Sequence, residues 1–143
     1  MKEALLSIIK DENRIITGQI DPQYLSDNLG RKKGTAEAVV FPVSTEEVSG
    51  VMRYAWKNNL PVTPRGAGTN LVGSTVPSGH GIVLDVSLMN HVLELDEETF
   101  TATVEPGVVL EDFQAYVESK GLFYPPDPGE KKATIGGNIS TNA

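Results

Sequence analysis

The sequence predicts an α+β domain, with β–α–β units and small mixed sheets that share helices. Three observations carry this. Short apolar runs suited to strands alternate with stretches whose apolar residues recur at helical spacing. Pro and Gly punctuate the boundaries between them. One strand–helix–strand passage, from Ala38 to Thr63, is complete, and such a crossover gives parallel, right-handed pairing.

Lys2 to Lys10 fits an amphipathic helix with Leu5, Ile8 and Ile9 on one side. Ile15, Ile16 and Ile20 carry no clear period, and Asp21-Pro22 marks a helix start or a turn. Asn28 to Thr35 is polar, and Arg31-Lys32-Lys33-Gly34 reads as a solvated loop. Ala38 to Phe41 is a short buried strand stopped by Pro42. Ser44 and Glu47 then form a capping box. The helix behind it runs to about Asn58 or Asn59, with Val48, Val51, Met52 and Ala55 on its core face and Trp56 at the edge.

Pro61 to Thr63 returns as a strand. Gly81 to Val86 is apolar in near-continuous run, which predicts a strand covered on both faces. His91 to Asp96 and Phe100 to Glu105 form a hairpin across Glu97-Glu98-Thr99. Pro106-Gly107 ends it. A helix follows from Leu110 to Lys120, with Leu110, Phe113 and Val117 inward and Gly121 at its C-terminal cap. Leu122-Phe123-Tyr124 reads as a last short strand.

Composition bounds the function. The 143 residues, 39% hydrophobic and 22% charged, suit one domain with a core rather than a two-domain enzyme. A net charge of −7 argues against nucleic acid and against a polybasic membrane contact. With no cysteine, disulfides, iron–sulfur ligation and thiol catalysis are excluded. No apolar run reaches the roughly 18 residues of a membrane span. The N-terminal apolar run is too short, and Glu3 comes too early, for a signal peptide, so a cytoplasmic protein is expected.

Chemistry concentrates in Pro61 to Pro77, PVTPRGAGTNLVGSTVP. The strand runs through Pro64 into Arg65-Gly66-Ala67-Gly68-Thr69-Asn70, then Gly73-Ser74-Thr75. Such a loop lets a ligand approach the backbone closely, and its successive N–H groups can converge on an anion. Hydroxyl and amide side chains add donors, and Arg65 offers a positive fork. Phosphate or pyrophosphate fits best. No Gly-Lys-Ser/Thr triplet makes it a Walker A loop, and Leu71 stands where a dinucleotide fingerprint needs its third glycine. The competing reading is a glycine-rich surface turn.

A second stretch decides between them. Pro125-Pro126-Asp127-Pro128 leads to Ala133-Thr134-Ile135-Gly136-Gly137-Asn138-Ile139-Ser140-Thr141-Asn142-Ala143, again small and polar. The PRGAGTN loop, the VEPGV element at Val104 to Val108, the PPDP turn and TIGGNISTNA together resemble the FAD-linked oxidase family. Its flavin fold is shared with vanillyl-alcohol oxidase and p-cresol methylhydroxylase (the PCMH type). The resemblance is strongest to the N-terminal part of the FAD-linked subunit of glycolate oxidase and of flavin D-lactate dehydrogenases, and covers about Ala38 to Ala143.

The resemblance implies a division into an N-terminal helical segment, 1–35, and an FAD-binding PCMH-type domain, 36–143, truncated at its C-terminal side. It implies that Pro64, Arg65, Gly66, Ala67, Gly68, Thr69 and Asn70 hold the FAD pyrophosphate, with Gly73 and Ser74 beside them. Thr134, Gly136, Gly137, Asn138, Ser140, Thr141 and Asn142 would run along the flavin and its ribityl chain as paired loops, with Pro126 in the same wall. On composition alone, Thr134 to Ala143 also reads as a flexible tail. Tyr24-Leu25-Ser26-Asp27 matches a Tyr-x-x-Asp pattern that precedes the flavin fold, and also reads as a surface helix. Some relatives attach flavin to a loop histidine. Thr69 occupies that position here, so non-covalent FAD is expected.

The implied reaction is oxidation of a small 2-hydroxy acid, with hydride passing to flavin N5 and electrons passing on, an electron-transfer partner subunit being among the expected partners. Family members take the base and the carboxylate-binding group from a later substrate domain, so no catalytic residue is assigned here. The sequence stops inside the motif and is expected to be a fragment. His80 and His91 have no carboxylate at recognisable spacing, so neither receives an acid–base role. Asp96-Glu97-Glu98 reads as a solvated turn, and no metal ligands are assigned. The competing functions are a non-catalytic nucleotide-binding or subunit-docking module, and another enzyme of the same flavin fold.

Overall fold

The computed structural model describes Met1 to Ala143. The elements are α1 (Lys2–Ile9), β1 (Ile15–Thr17), β2 (Ala36–Val40), α2 (Thr45–Lys57), β3 (Val62–Arg65), β4 (Gly81–Asp85), β5 (Val92–Asp96), β6 (Thr101–Val104), α3 (Leu110–Glu118) and α4 (Ile135–Thr141). They make two sheets, one of four strands in the order β1-β2-β4-β3 and the β5–β6 hairpin. β4 is parallel to both β2 and β3, and β1 is antiparallel to β2. The β2–α2–β3 crossover therefore leaves a gap that β4 fills later in the chain.

The central position of β4 explains its composition. Gly81 to Asp85 are all buried, and alternate side chains serve two cores. Ile82 and Leu84 pack with Val40, with Leu5 and Ile9 of α1, and with Val51 and Ala55 of α2. Val83 and Val39 face the other way, against Ile20, Tyr24 and Leu25. Residues 1–35 thus cover both faces of the sheet, and they hold a strand, β1, besides the expected helix. Asp21-Pro22 opens a short 3₁₀ turn over Pro22–Leu25, capped by the Asp21 carboxylate accepting from Gln23 N–H.

Ser44 caps α2 as expected, its hydroxyl accepting from Glu47 N–H at 3.2 Å. Glu47 does not return the bond to Ser44. It accepts from Val43 N–H and from both terminal nitrogens of Arg14, at 2.6 and 2.9 Å. Arg14 also donates to the carbonyls of Ile9 and Phe41, tying the end of α1 to the start of α2. The core face of α2 is narrower than expected. Met52 is 47% exposed and Trp56 85% exposed. The i,i+4 row Val48–Met52–Trp56 turns about 40° per step away from the core, because four residues exceed one turn of 3.6.

The second half packs the hairpin, α3 and α4 around Val108, Leu110, Phe113, Val117 and Ile135. Gly121 ends α3 with φ of +75°, and Leu122 N–H bonds back to Val117. The expected strand at Leu122 to Tyr124 does not form. It pairs with no strand and folds back on α3, with Tyr124 edge-to-face on Phe113 at 5.0 Å. Phe123 (74% exposed) and Ile139 (75% exposed) line an open apolar groove of about 480 Å³ there.

Candidate functional site

β3 and β4 run parallel and end at the same edge of the sheet, with Arg65 in register with Asp85. The C-terminal end of parallel strands is where such sheets bind ligands. β3 is the outer strand, which is why Pro64 is tolerated in it. From Arg65 the chain leaves the sheet as an arch.

The arch is defined by what its backbone does not do. None of the N–H groups from Gly66 to Leu71 donates to an acceptor in the protein. Unpaired donors in succession are the elements of an anion nest. Gly68 makes the turn with φ of +72°, a conformation that costs other residues about 1–2 kcal/mol. Asn70 closes the arch: its amide donates to the Thr75 hydroxyl at 2.6 Å, and its carbonyl oxygen accepts from Ser74 N–H at 3.0 Å. Ser74 and Thr75 thereby shape the loop, and Gly73 turns it with φ of +79°.

Arg65 does not offer the free fork expected of it. Its side chain is only 10% exposed and lies beneath the arch. Nη1 donates to the Ser26 carbonyl at 3.1 Å, Nε is 3.9 Å from Asp85 Oδ2, and the guanidinium stands 5.7 Å from the centre of the Tyr24 ring. Burial pushes the Asp85 carboxyl above the ordinary aspartate range, against the pull of its Ser87 bonds and of Arg65. Burial likewise lowers the Arg65 guanidinium, against Asp85.

The second stretch comes to the first. A methyl group on Gly66 would collide with the Thr134 side chain. Thr134 is buried and caps α4, its hydroxyl accepting from Gly137 N–H at 3.2 Å. The expected loop is therefore a helix, and the tail is ordered structure. Its first-turn donors are all used: Ile135 N–H bonds to Val108, Gly136 N–H to Pro106, Gly137 N–H to the Thr134 hydroxyl and Asn138 N–H to the Thr134 carbonyl. The Ser140 and Thr141 hydroxyls donate back to the carbonyls of Gly136 and Gly137. Asn142 ends the helix with φ of +52°. The Asn138 side-chain amide is left without a protein partner. The Pro126 carbonyl accepts from Gln114 on α3.

Both histidines have carboxylate neighbours, contrary to expectation. His91 Nδ1 is 2.7 Å from Glu105, across the hairpin, and His80 Nδ1 is 3.3 Å from Glu37. These pairs span strands, so spacing along the chain concealed them. Asp96 accepts from the N–H groups of Glu98 and Thr99 and so organises the hairpin turn. Sequence reasoning missed Asp85, and it noticed Tyr24 to Asp27 only as a pattern, without the contacts of Tyr24 and Ser26 to Arg65. A lone acid closing an apolar strand was the available signal for Asp85.

A family described as FAD binding domain matches residues 36–143. The chain belongs to this family. Among curated proteins, this FAD binding domain is 43% identical to the glycolate oxidase subunit GlcD of Bacillus subtilis (strain 168) over 100% of the chain and 31% of that protein. It is 42% identical to a D-lactate dehydrogenase of Anaerostipes hadrus, over 91% of the chain and 28% of the relative. The chain thus spans about a third of the length of these relatives. A solved 4-ethylphenol oxidase from Gulosibacter chungangensis superposes with a TM-score of 0.78 at 26% identity, over 96% of this chain and 27% of that one. A solved p-cresol methylhydroxylase gives 0.80 at 21% identity, over 96% and 28%, which shows the shared fold. The PCMH-type α+β fold expected from the sequence is therefore present. No helix is long and apolar enough to cross a membrane.

FAD is the ligand of the family, and the residues fit it. A diphosphate needs convergent donors without a wall of side chains, and the arch supplies unpaired N–H groups flanked by Gly66 and Gly68. A flat ring needs small neighbours, and the start of α4, which meets Gly66, is built of Thr134, Gly136 and Gly137, with Gly136 packed on Pro106.

Proposed function

We propose that this chain is the FAD-holding segment of a flavin-dependent 2-hydroxy-acid oxidoreductase, with the cofactor bound non-covalently. The observation that carries the reading is the run of unpaired N–H groups at the C-terminal end of β3. The curated relatives, named glycolate oxidase subunit, D-lactate dehydrogenase and D-2-hydroxyglutarate dehydrogenase, support the substrate class.

Residues divide by task. The backbone from Pro64 to Asn70 takes the pyrophosphate, and Gly73 and Ser74 keep the loop's exit in shape. Gly137 and Asn138 are assigned to the flavin side, with Gly136 letting α4 close on Pro106, Thr134 fixing their approach and Ser140, Thr141 and Asn142 completing the helix. Pro126 borders the same wall. Thr69, where some relatives carry a histidine, has no nucleophile suited to a covalent flavin bond. When bound, FAD supplies the hydride acceptor, N5, for the hydroxyl-bearing carbon of the substrate. This chain's residues bind and orient it; the proton acceptor and carboxylate-binding group belong to a substrate domain outside these residues. An electron-accepting partner and a cytoplasmic location are part of the same proposal. The division into 1–35 and 36–143 follows the start of the family match.

The test is a titration of the purified chain with FAD and with riboflavin, followed by flavin fluorescence. Saturable binding of FAD with a clear preference over riboflavin supports the reading. Equal binding of both overturns the pyrophosphate assignment, since riboflavin has no phosphate.

A further inference from the structure

The arch is gripped at both ends by one short segment that lies outside the family match. At its start, Arg65 donates to the Ser26 carbonyl at 3.1 Å. At its end, the Asn70 carbonyl accepts from Asn28 N–H at 3.1 Å. Between these points Nη2 of Arg65 fills the space where a side chain on Gly68 would stand, so the guanidinium props the turn from below. Tyr24 packs its ring on the same cation, and Asp85 faces it from the neighbouring strand.

We infer that Arg65 is a positioning residue: with Asp85, Tyr24 and Ser26 it forms a clamp that holds the Gly66–Asn70 arch in its diphosphate-binding shape, and it does not itself ligate the phosphates. The inference rests on the FAD reading above and deepens it. Four physical arguments support it. The guanidinium is almost wholly buried beneath the loop, whereas a phosphate ligand has to present its fork. Its charge is already opposed by Asp85, so the arch attracts an anion through its N–H dipoles rather than through a free cation. A buried charge with its partners removed is costly, so the clamp holds one arrangement. A loop with no internal backbone bonds needs such a support to stay ordered.

Three variants test it: Arg65→Lys, Asp85→Asn and Tyr24→Leu. The readouts are affinity for FAD, affinity for riboflavin, and backbone order parameters at Gly66 and Gly68 in the chain without added flavin. Asp85→Asn and Tyr24→Leu keep the Arg65 charge and free its head. A clamp predicts that both weaken FAD by about tenfold while riboflavin affinity holds. Order parameters should fall from about 0.85 towards 0.6 at the glycines while those of β4 stay high. Arg65→Lys should behave the same way, because an ammonium cannot span Ser26, Asp85 and Gly68 together. Unchanged or tighter FAD binding in Tyr24→Leu and Asp85→Asn would overturn the clamp and make Arg65 a direct ligand. Unchanged order parameters would overturn it as well. Should Asp85→Asn fail to fold, Tyr24→Leu carries the decision alone. A parent chain that binds FAD and riboflavin equally overturns the FAD reading instead, and the order parameters then decide the clamp by themselves.

Discussion

The two glycine-rich stretches look alike as sequence and are opposites as structure. Pro61 to Pro77 is an arch whose N–H groups are unpaired from Gly66 to Leu71. Ala133 to Ala143 is a capped helix whose first-turn N–H groups are all bonded within the protein. In the arch, Gly68 is needed for its conformation, with φ of +72°. In α4, Gly136 is needed for clearance: a side chain there would come within 2.8 Å of the Pro106 carbonyl oxygen. One stretch therefore keeps its donors free, and the other lets neighbouring backbone approach. Glycine content alone does not say which.

Matched substitutions can break this comparison. The largest loss of stability is expected from Gly136→Ala, about 2–3 kcal/mol, because the new methyl meets backbone that cannot yield easily. Urea unfolding measures it, and the preference for FAD over riboflavin should survive in the folded fraction. A neutral result would remove the clearance argument. Gly68→Ala comes next, about 1–2 kcal/mol from the left-handed backbone, with the flexible Arg65 head displaced as well. There the order reverses: the FAD preference should collapse while unfolding shifts modestly. Equal effects of both variants on FAD would mean that the two stretches do one job.

Thr134→Val sharpens the contrast from the side of the helix. It keeps the volume and deletes the cap, at about 1 kcal/mol by urea unfolding. FAD preference should be little changed, since the hydroxyl is occupied by Gly137 N–H. The smallest effect is one of pH. Neither stretch contains a side-chain carboxylate, so acid reaches them only through neighbours such as Asp85, and its effect on the fold is sought elsewhere. Hydrogen bonding from Arg14 holds the Glu47 carboxyl below the usual glutamate range. Its folded value lies below its unfolded one, so its contribution is full at neutral pH and is lost as pH falls below about 4.3 towards the folded value. Desolvation of the carboxylate offsets much of the pairing, so the loss stays below about 1 kcal/mol. Urea midpoints between pH 7 and 3 should show Glu47→Gln flattening that limb, with no matching change from Thr134→Val.

Much of this was readable in one dimension. The β–α–β passage, the Ser44 cap, the doubly buried strand at Gly81 to Asp85 and the hairpin all follow from local pattern. So did the phosphate-loop expectation at Arg65 to Asn70. The errors share a cause. Leu122 to Tyr124 has strand composition, yet a strand needs a paired neighbour, and here Leu122 and Tyr124 pack into the α3 core instead. Trp56 lay at the margin of a helical stripe whose width depends on what packs against it. The His91–Glu105 and His80–Glu37 pairs join residues that only strand pairing brings together. Thr134 to Asn142 has two consecutive glycines and low helix propensity, and the cap with the anchoring bonds to Pro106 and Val108 overcomes it.

The order of residues was enough to set most elements between Ala38 and Lys120, the absence of thiol chemistry, and the small side chains that leave a backbone approachable. Those are local properties, fixed by side-chain size, φ preference and apolar period. Three features exist only in the folded chain: Gly66 meets Thr134, the arch keeps its N–H groups free while α4 does not, and Arg65 turns beneath the loop to Asp85 and Ser26. Each depends on which distant groups compete for the same donors and the same space, and that competition begins only when folding brings those groups together.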